Sequence, residues 1–224
     1  MPSLDRDGDV FLLHLGDDEN RFNPEWVGAV EALLDEVAAA PAPRALVTTA
    51  GGKIWSNGLD LEWMGAHPEE VGAFVPRVHA LFATMLALPV PTVAAIGGHC
   101  FAAGAMLAVA HDFRVMRADR GFFCLPEVDI HIPFTPPMAA LIQARLSKAT
   151  AHEAMTTGRR YGGSDAAAAG IADAAVAEDH VLPAAVERAG ALAAKHPATL
   201  GAIKEGMYAP ALSLLRDPTP VAFG

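Results

Sequence analysis

The chain has 224 residues, 52% of them hydrophobic and 19% charged, with a formal net charge of -10 at pH 7. Such a composition supports a sizeable core, enough for one large domain or two small ones, and excludes a disordered chain. The acidic balance argues against a nucleic-acid binder, which needs Lys and Arg against phosphates.

Residues 9–15, DVFLLHL, read as a strand. Asn23-Pro24-Glu25 then carries a helix start: an N-cap side chain, a proline at the first helical position and an acid in the first turn. Trp26, Val30, Leu33, Leu34 and Val37 recur at helical spacing, and Pro41 and Pro43 end the run. RALVTTA (44–50) is a second strand leading into the loop GGKIWSNGLDL. Residues 69–88 form a helical stretch, predicted to bend or break near Pro76. Residues 91–97, 103–111 and 113–118 read as strand, helix and strand. From Pro136 the pattern is almost wholly helical, with Ser164 as an expected N-cap, Gly170 as a helix stop and one short strand within 171–179. Strands alternating with helices imply an α/β fold with a mostly parallel sheet.

Residues 83–110 carry no Asp, Glu, Lys or Arg, a run long enough to span a bilayer. Pro89, Pro91, Gly97, Gly98 and His99 interrupt it, and Thr92, Val93 and Ile96 read as a buried strand, so no membrane partner is expected. Cys100 and Cys124 form neither a C-x-x-C pair nor a disulfide framework. With an acidic amino terminus that lacks signal-peptide layout, they lead to the expectation of a cytoplasmic location.

There is no G-x-S-x-G elbow, no phosphate-binding loop and no H-E-x-x-H, and nine histidines are scattered without metal-ligand spacing; no metal is expected. Two strand-to-helix turns remain, WSNGLDL (55–61) and the stretch from Gly97-Gly98 to Ala103. Turns of this kind expose backbone N–H groups, and two aimed at one point make an oxyanion hole. Small residues at 102–104 suit such a hole, and equally suit close packing of helix on strand.

WSNGLDL, then PTVAAIGGHCFAAGAMLAVAHDFRVMRAD, then FFCLPEVDI, then MTTGRRYGGSDAAAAGIADAAVAED, in that order and with ENRFNPEWV before them, resemble the crotonase (enoyl-CoA hydratase/isomerase) superfamily. Residues 9–195 carry the match. The resemblance implies an α/β spiral of ββα units over 1–135 and a helical trimerisation region over 136–224, assembled as trimers or hexamers. It implies an acyl-CoA thioester substrate, with coenzyme A as part of the substrate and no separate cofactor. The thioester oxygen falls to the N–H groups of Leu59 and Ala103. Trp55, Ser56, Asn57, Gly58, Asp60, Gly104, Met106 and Pro126 are placed around the substrate, with Asp60 read as fixing its loop. Hydratases of the family carry two glutamates. Here the first position is Met106, and the second, in the Pro126-Glu127 pair, is kept. One carboxylate suffices to shuttle a proton from C2 to C4, so the expected reaction moves a 3-enoyl-CoA double bond to the 2-position. The alternatives are hydration, thioester hydrolysis or acyl-CoA binding without turnover. The apolar neighbours Phe122, Phe123, Leu125, Val128 and Ile130 should raise the pKa of Glu127. Asp129 and His131 are close enough in sequence to assist it. Asp112 is expected to be buried and paired. Arg21, Lys53 and Lys204 are the candidate cations for the coenzyme A phosphates.

Overall fold

The computed structural model describes residues 1–221. The last three residues of the expected helical region, 222–224, lie outside that range.

The chain opens as a hairpin of β1 (Ser3–Asp7) and β2 (Val10–His14), turned at Gly8 with φ +57. It continues through β3 (Arg21–Phe22), α1 (Pro24–Ala39), β4 (Ala45–Thr49), β5 (Ile54–Ser56), β6 (Gly58–Leu59), α2 (Leu61–Ala66) and α3 (Pro68–Ala87). Next come β7 (Thr92–Ile96), β8 (His99–Phe101), α4 (Ala103–Ala110), β9 (Phe113–Arg117) and β10 (Phe123–Cys124). The rest holds α5 (Pro136–Arg145), α6 (Lys148–Thr157), α7 (Gly163–Ala168), β11 (Ala174–Val176), α8 (Val181–Gly190) and α9 (Pro197–Leu215).

Six strands form the main sheet in the order β1-β2-β4-β7-β9-β11, antiparallel at β1–β2 and parallel elsewhere. Helices cover both faces, so the central strands are apolar on both sides. Val10, Ala45, Val47, Val93, Ala95 and Val115 pack with α8 residues Val181, Ala185 and Ala189. The alternate residues Phe11, Leu13, Leu46, Ala94, Ile96 and Met116 join the larger core with α1, α3 and α4. A smaller sheet, β10-β8-β5, and the pair β3-β6 stand at the end where α4 begins. The helical segment from Pro136 is not a separate core, because β11 pairs with β9 and α8 lies on the main sheet.

Several expectations hold. Asn23 caps α1 by accepting from Trp26 N at 3.0 Å, and Gly170 takes φ +72 after α7. Asp112 is paired as expected, accepting from Thr92 N at 2.9 Å and from Lys204 Nζ at 2.7 Å, though it is half-buried rather than buried. Two expectations fail. The N-cap of α7 is Gly162, and Ser164 lies inside the first turn. Helix α3 runs unbroken through Pro76. Proline removes the N–H that would bond the carbonyl of Gly72. Val221 N supplies the missing donor at 3.0 Å, so the orphaned acceptor is satisfied from the far end of the chain. The apolar run of 83–110 divides into the end of α3, β7, β8 and α4. Among the described residues, no helix is long and apolar enough to cross a membrane.

Candidate active site

Where the small sheets meet α4 there is a cavity of about 450 Å³. Its lining includes Arg21, Asn57, Leu59, Leu61, Phe101, Ala102, Ala103, Met106, Pro126 and Glu127, closed by Ile130, Ile132, Pro133 and Met138. Both expected donor residues, the Met106 position and the Pro126-Glu127 pair are thus brought to one space.

Helix α4 begins at this cavity with Ala103, and no side chain caps it. The first N–H groups of a helix have no intrahelical partner, and the helix dipole adds partial positive charge there. Ala102, the N-cap, holds φ +51, a conformation that favours glycine. On the facing turn, the β3–β6 pair puts Phe22 opposite Leu59, and Asp60 N donates to Phe22 O at 3.0 Å. In such a parallel ladder the intervening N–H, that of Leu59, is directed away from the neighbouring strand. The two turns touch. Gly58 has φ +79, and a Cβ there would lie 2.7 Å from Ala103 N.

All eight residues of α4 are buried, so its carboxyl end also needs partners. Arg145 donates to Val109 O at 2.7 Å, His111 O at 2.6 Å and Asp112 O at 2.9 Å; Arg114 donates to His111 O at 3.0 Å. Positive charge at this end complements the dipole. Sequence reading missed both arginines. Their signal, basic residues flanking a helix free of charge, appears only once α5 is folded against α4.

Glu127 follows β10 in a tight turn closed by Asp129 N and Ile130 N on Pro126 O, at 2.8 and 3.0 Å, and by Ile132 N on Glu127 O at 3.1 Å. The side chain is 6% exposed, and its buried Oε2 has no hydrogen-bond partner. Desolvation pushes its pKa up from 4.5 to about 7. It is the sole carboxylate among the described residues that line the cavity.

Other expected site residues stand elsewhere. Trp55 is buried in the core against His111, away from the lining. Ser56 is fully buried behind the turn, and Gly104 packs against it. Asp60 caps α2 by accepting from Trp63 N at 3.1 Å and does not line the cavity, which agrees with a loop-fixing acid. Asp129 is exposed with its carboxylate beside Gly158, and exposed His131 sits at φ +59; neither lines the cavity. Of the three cations, Arg21 lies in the cavity wall, 2.5 Å from Glu19 and 4.0 Å from Asp60, and Lys53 is exposed. Lys204 is not available to a phosphate. It is buried, and its Nζ donates to Leu88 O, Val90 O and Asp112. The apolar wall of Leu61, Phe101, Ile130, Ile132 and Met138 was singled out from sequence only at Ile130. Its one sequence signal is the apolar alternation Val128, Ile130, Ile132 in a segment with no regular element.

Small sheets around a helix start bring the turns of Leu59 and Ala103 and one desolvated carboxylate to a single cavity, a setting in which a carbonyl can be polarised beside a base. The family model described as enoyl-CoA hydratase/isomerase matches residues 8–218, and the chain belongs to that family. Over 207 residues it is 38% identical to the Arabidopsis thaliana protein named enoyl-CoA delta isomerase 2, peroxisomal, covering 87% of this chain and 86% of that one. A putative enoyl-CoA hydratase of Thermus thermophilus is 31% identical, covering 90% and 81%. Among solved structures, an enoyl-CoA isomerase of Mycobacterium tuberculosis superposes with a TM-score of 0.89 at 26% identity, covering 97% of this chain and 95% of that one. Human mitochondrial delta3-delta2-enoyl-CoA isomerase gives 0.88 at 22% identity, covering 96% and 85%, a likeness of fold alone.

Proposed function

We propose that the protein is an enoyl-CoA isomerase that converts 3-enoyl-CoA to 2-enoyl-CoA with Glu127 as its base. The observation that carries this reading is the single desolvated carboxylate of the cavity, set among apolar walls near two unpaired backbone donors. The thioester oxygen accepts from Leu59 N–H and Ala103 N–H. Glu127 takes a proton from C2, and the electron pair moves onto the thioester oxygen as a dienolate. The same carboxyl group returns the proton to C4, and the double bond comes to rest between C2 and C3. A pKa near 7 suits both halves, since the group must accept a proton and then release it. Each N–H donor contributes about 3 kcal/mol to the enolate-like transition state, the scale found when such a donor is removed.

Met106, 1% exposed, stands where hydratases of the family carry their other glutamate. A thioether neither orients nor deprotonates water, so hydration has one group where it needs two. The acyl chain lies along Met106, Met138 and Ile132, and coenzyme A leaves past Arg21, the basic residue of the cavity wall. Family resemblance supports a trimer or hexamer. Exposed Ile203, Met207 and Leu214 on one side of α9 support that assembly, which sedimentation at micromolar concentration tests. The buried free thiols of Cys100 and Cys124 are compatible with a reducing cytoplasm. The deciding experiment offers the purified protein 3-enoyl-CoA and 2-enoyl-CoA substrates side by side. Isomerisation of the first, with slow or no hydration of the second, is expected. Binding of both with no exchange of the C2 proton would refute the reading.

A further inference from the structure

We infer that Ser56 is a positioning residue whose hydroxyl fixes the spacing of the two backbone donors, an inference that rests on reading Leu59 and Ala103 as the thioester's partners. Ser56 is fully buried and does not line the cavity, so its hydroxyl is not a substrate contact. Its Oγ accepts from Gly58 N at 3.1 Å, the residue before Leu59. It donates to Asn20 O at 2.8 Å, which ties it to the loop beneath. On its other side it abuts Gly104, the residue after Ala103. A Cβ on Gly104 would lie 2.6 Å from that same Oγ. One oxygen therefore touches the backbone adjoining each donor, by a hydrogen bond on one side and by van der Waals contact on the other.

Asn20 anchors the arrangement. Its Nδ2 donates to Trp55 O at 3.0 Å and Ile54 O at 3.3 Å, holding β5 from behind. Without the hydroxyl, Gly58 N and Asn20 O are both left buried and unpaired, and the turn carrying Leu59 loses its tie to the loop below. The contact with Gly104 opens by the volume of one oxygen. A donor displaced by a fraction of an ångström still binds a neutral carbonyl but stabilises a developing oxyanion less well.

The test compares wild type, Ser56→Ala and Ser56→Cys, in which the thiol keeps a weakened donor and acceptor. Two quantities are read: kcat and KM with a 3-enoyl-CoA, and the infrared band of bound hexanoyl-CoA carrying carbon-13 at the thioester carbonyl. Ser56→Ala should lower kcat about tenfold, below the about hundredfold loss of a whole donor, with KM changed less than about twofold. Its carbonyl band should move from the polarised wild-type position toward that of free hexanoyl-CoA. Ser56→Cys should fall between the two, and it gives the same reading alone if Ser56→Ala does not fold. Unchanged kcat and band in variants that lose only thermal stability would overturn the inference while leaving the donors standing. A wild-type band that matches free hexanoyl-CoA would overturn the two-donor reading and the inference with it.

Discussion

Replacing Glu127 by Gln removes the proposed base and the buried charge in one step while keeping side-chain shape. Lifting a carboxyl from 4.5 to about 7 corresponds to about 3 kcal/mol of differential interaction between its two protonation states. The sign follows from which state binds the proton. Below pH 4.5 the group is protonated in folded and unfolded chains alike, and burial costs the fold nothing extra. As pH rises from 4.5 to 7 the unfolded chain releases the proton first, and the folded state loses stability. Above pH 7 both are ionised and the full penalty stands. Glu127→Gln should therefore stabilise the protein at pH 8 and, once the unpaired amide is counted, cost it up to about 1 kcal/mol at pH 4.5. The buried amide N–H₂ lacks a partner at the place of Oε2, which offsets the gain by about 1 kcal/mol. A net of about 2 kcal/mol raises Tm by about 4–8 °C in a chain of this size. Thermal unfolding at the two pH values, at equal protein concentration, reads the effect. The same variant should lose isomerase turnover and C2 deuterium exchange by at least about a hundredfold while still binding acyl-CoA. In the wild type, kcat/KM should rise with pH up to about 7 and then level off. A variant that turns over near the wild-type rate places the base elsewhere, and one that is no more stable at pH 8 means that Glu127 is solvated.

Met106→Glu should cost about 2–5 kcal/mol of stability through desolvation of the new acid, slow isomerisation, and admit measurable hydration of 2-enoyl-CoA; a wild type that hydrates as fast as it isomerises would end the one-base argument. Ala102→Gly should stabilise the fold by about 1 kcal/mol, because Ala102 holds φ +51 at the start of α4; urea denaturation that shows a loss would remove strain from the account. His79 is buried, with Nε2 2.9 Å from Thr135 Oγ1, and desolvation lowers its pKa to about 4. The unfolded chain then takes up the proton first as pH falls from 6.5 to 4, and the fold loses stability over that window. His79→Gln should remove up to about 1.4 kcal/mol per pH unit of that acid-side loss, read as the difference between variant and wild type in the pH dependence of the urea unfolding free energy.

What the sequence discloses follows the range of the physics involved. The start of α1 was legible because Asn23, Pro24 and Trp26 settle it among themselves within one turn. The parallel strands were legible because both faces are apolar. The two-residue strands β3, β6 and β10 were not, since each exists only through a partner distant in the chain. The break expected at Pro76 fails for the same reason: its local rule is sound, and Val221, 149 positions after Gly72, satisfies the carbonyl that the proline leaves free. Lys204 read as a free surface cation because nothing near it in sequence announces Asp112, Leu88 and Val90. At the site, Glu127, Leu59 and Ala103 came from the family resemblance, and the apolar turn around Glu127 pointed to its raised pKa. The wall that encloses them is drawn from α2, β8, the 126–133 turn and α5, and no single segment contains it.

The site holds together because one property, dryness, serves each of its parts. Apolar walls remove water from Glu127, which makes the carboxylate a stronger base near neutrality. In the proposed mechanism the apolar walls also lower the effective dielectric around Leu59 N–H and Ala103 N–H, where a hydrogen bond to a developing negative charge is worth more than in solvent. A second carboxylate at position 106 would pay its own desolvation and be disfavoured by the charge of Glu127. Met106 resolves the conflict by keeping the wall apolar. Helix α4 turns its amino end to the cavity, while at its buried carboxyl end Arg145 donates to Val109 O and His111 O and Arg114 donates to His111 O. In the proposed mechanism a single base, two backbone donors and an apolar wall are one solution to one constraint, and that solution favours proton transfer along carbon over the addition of water.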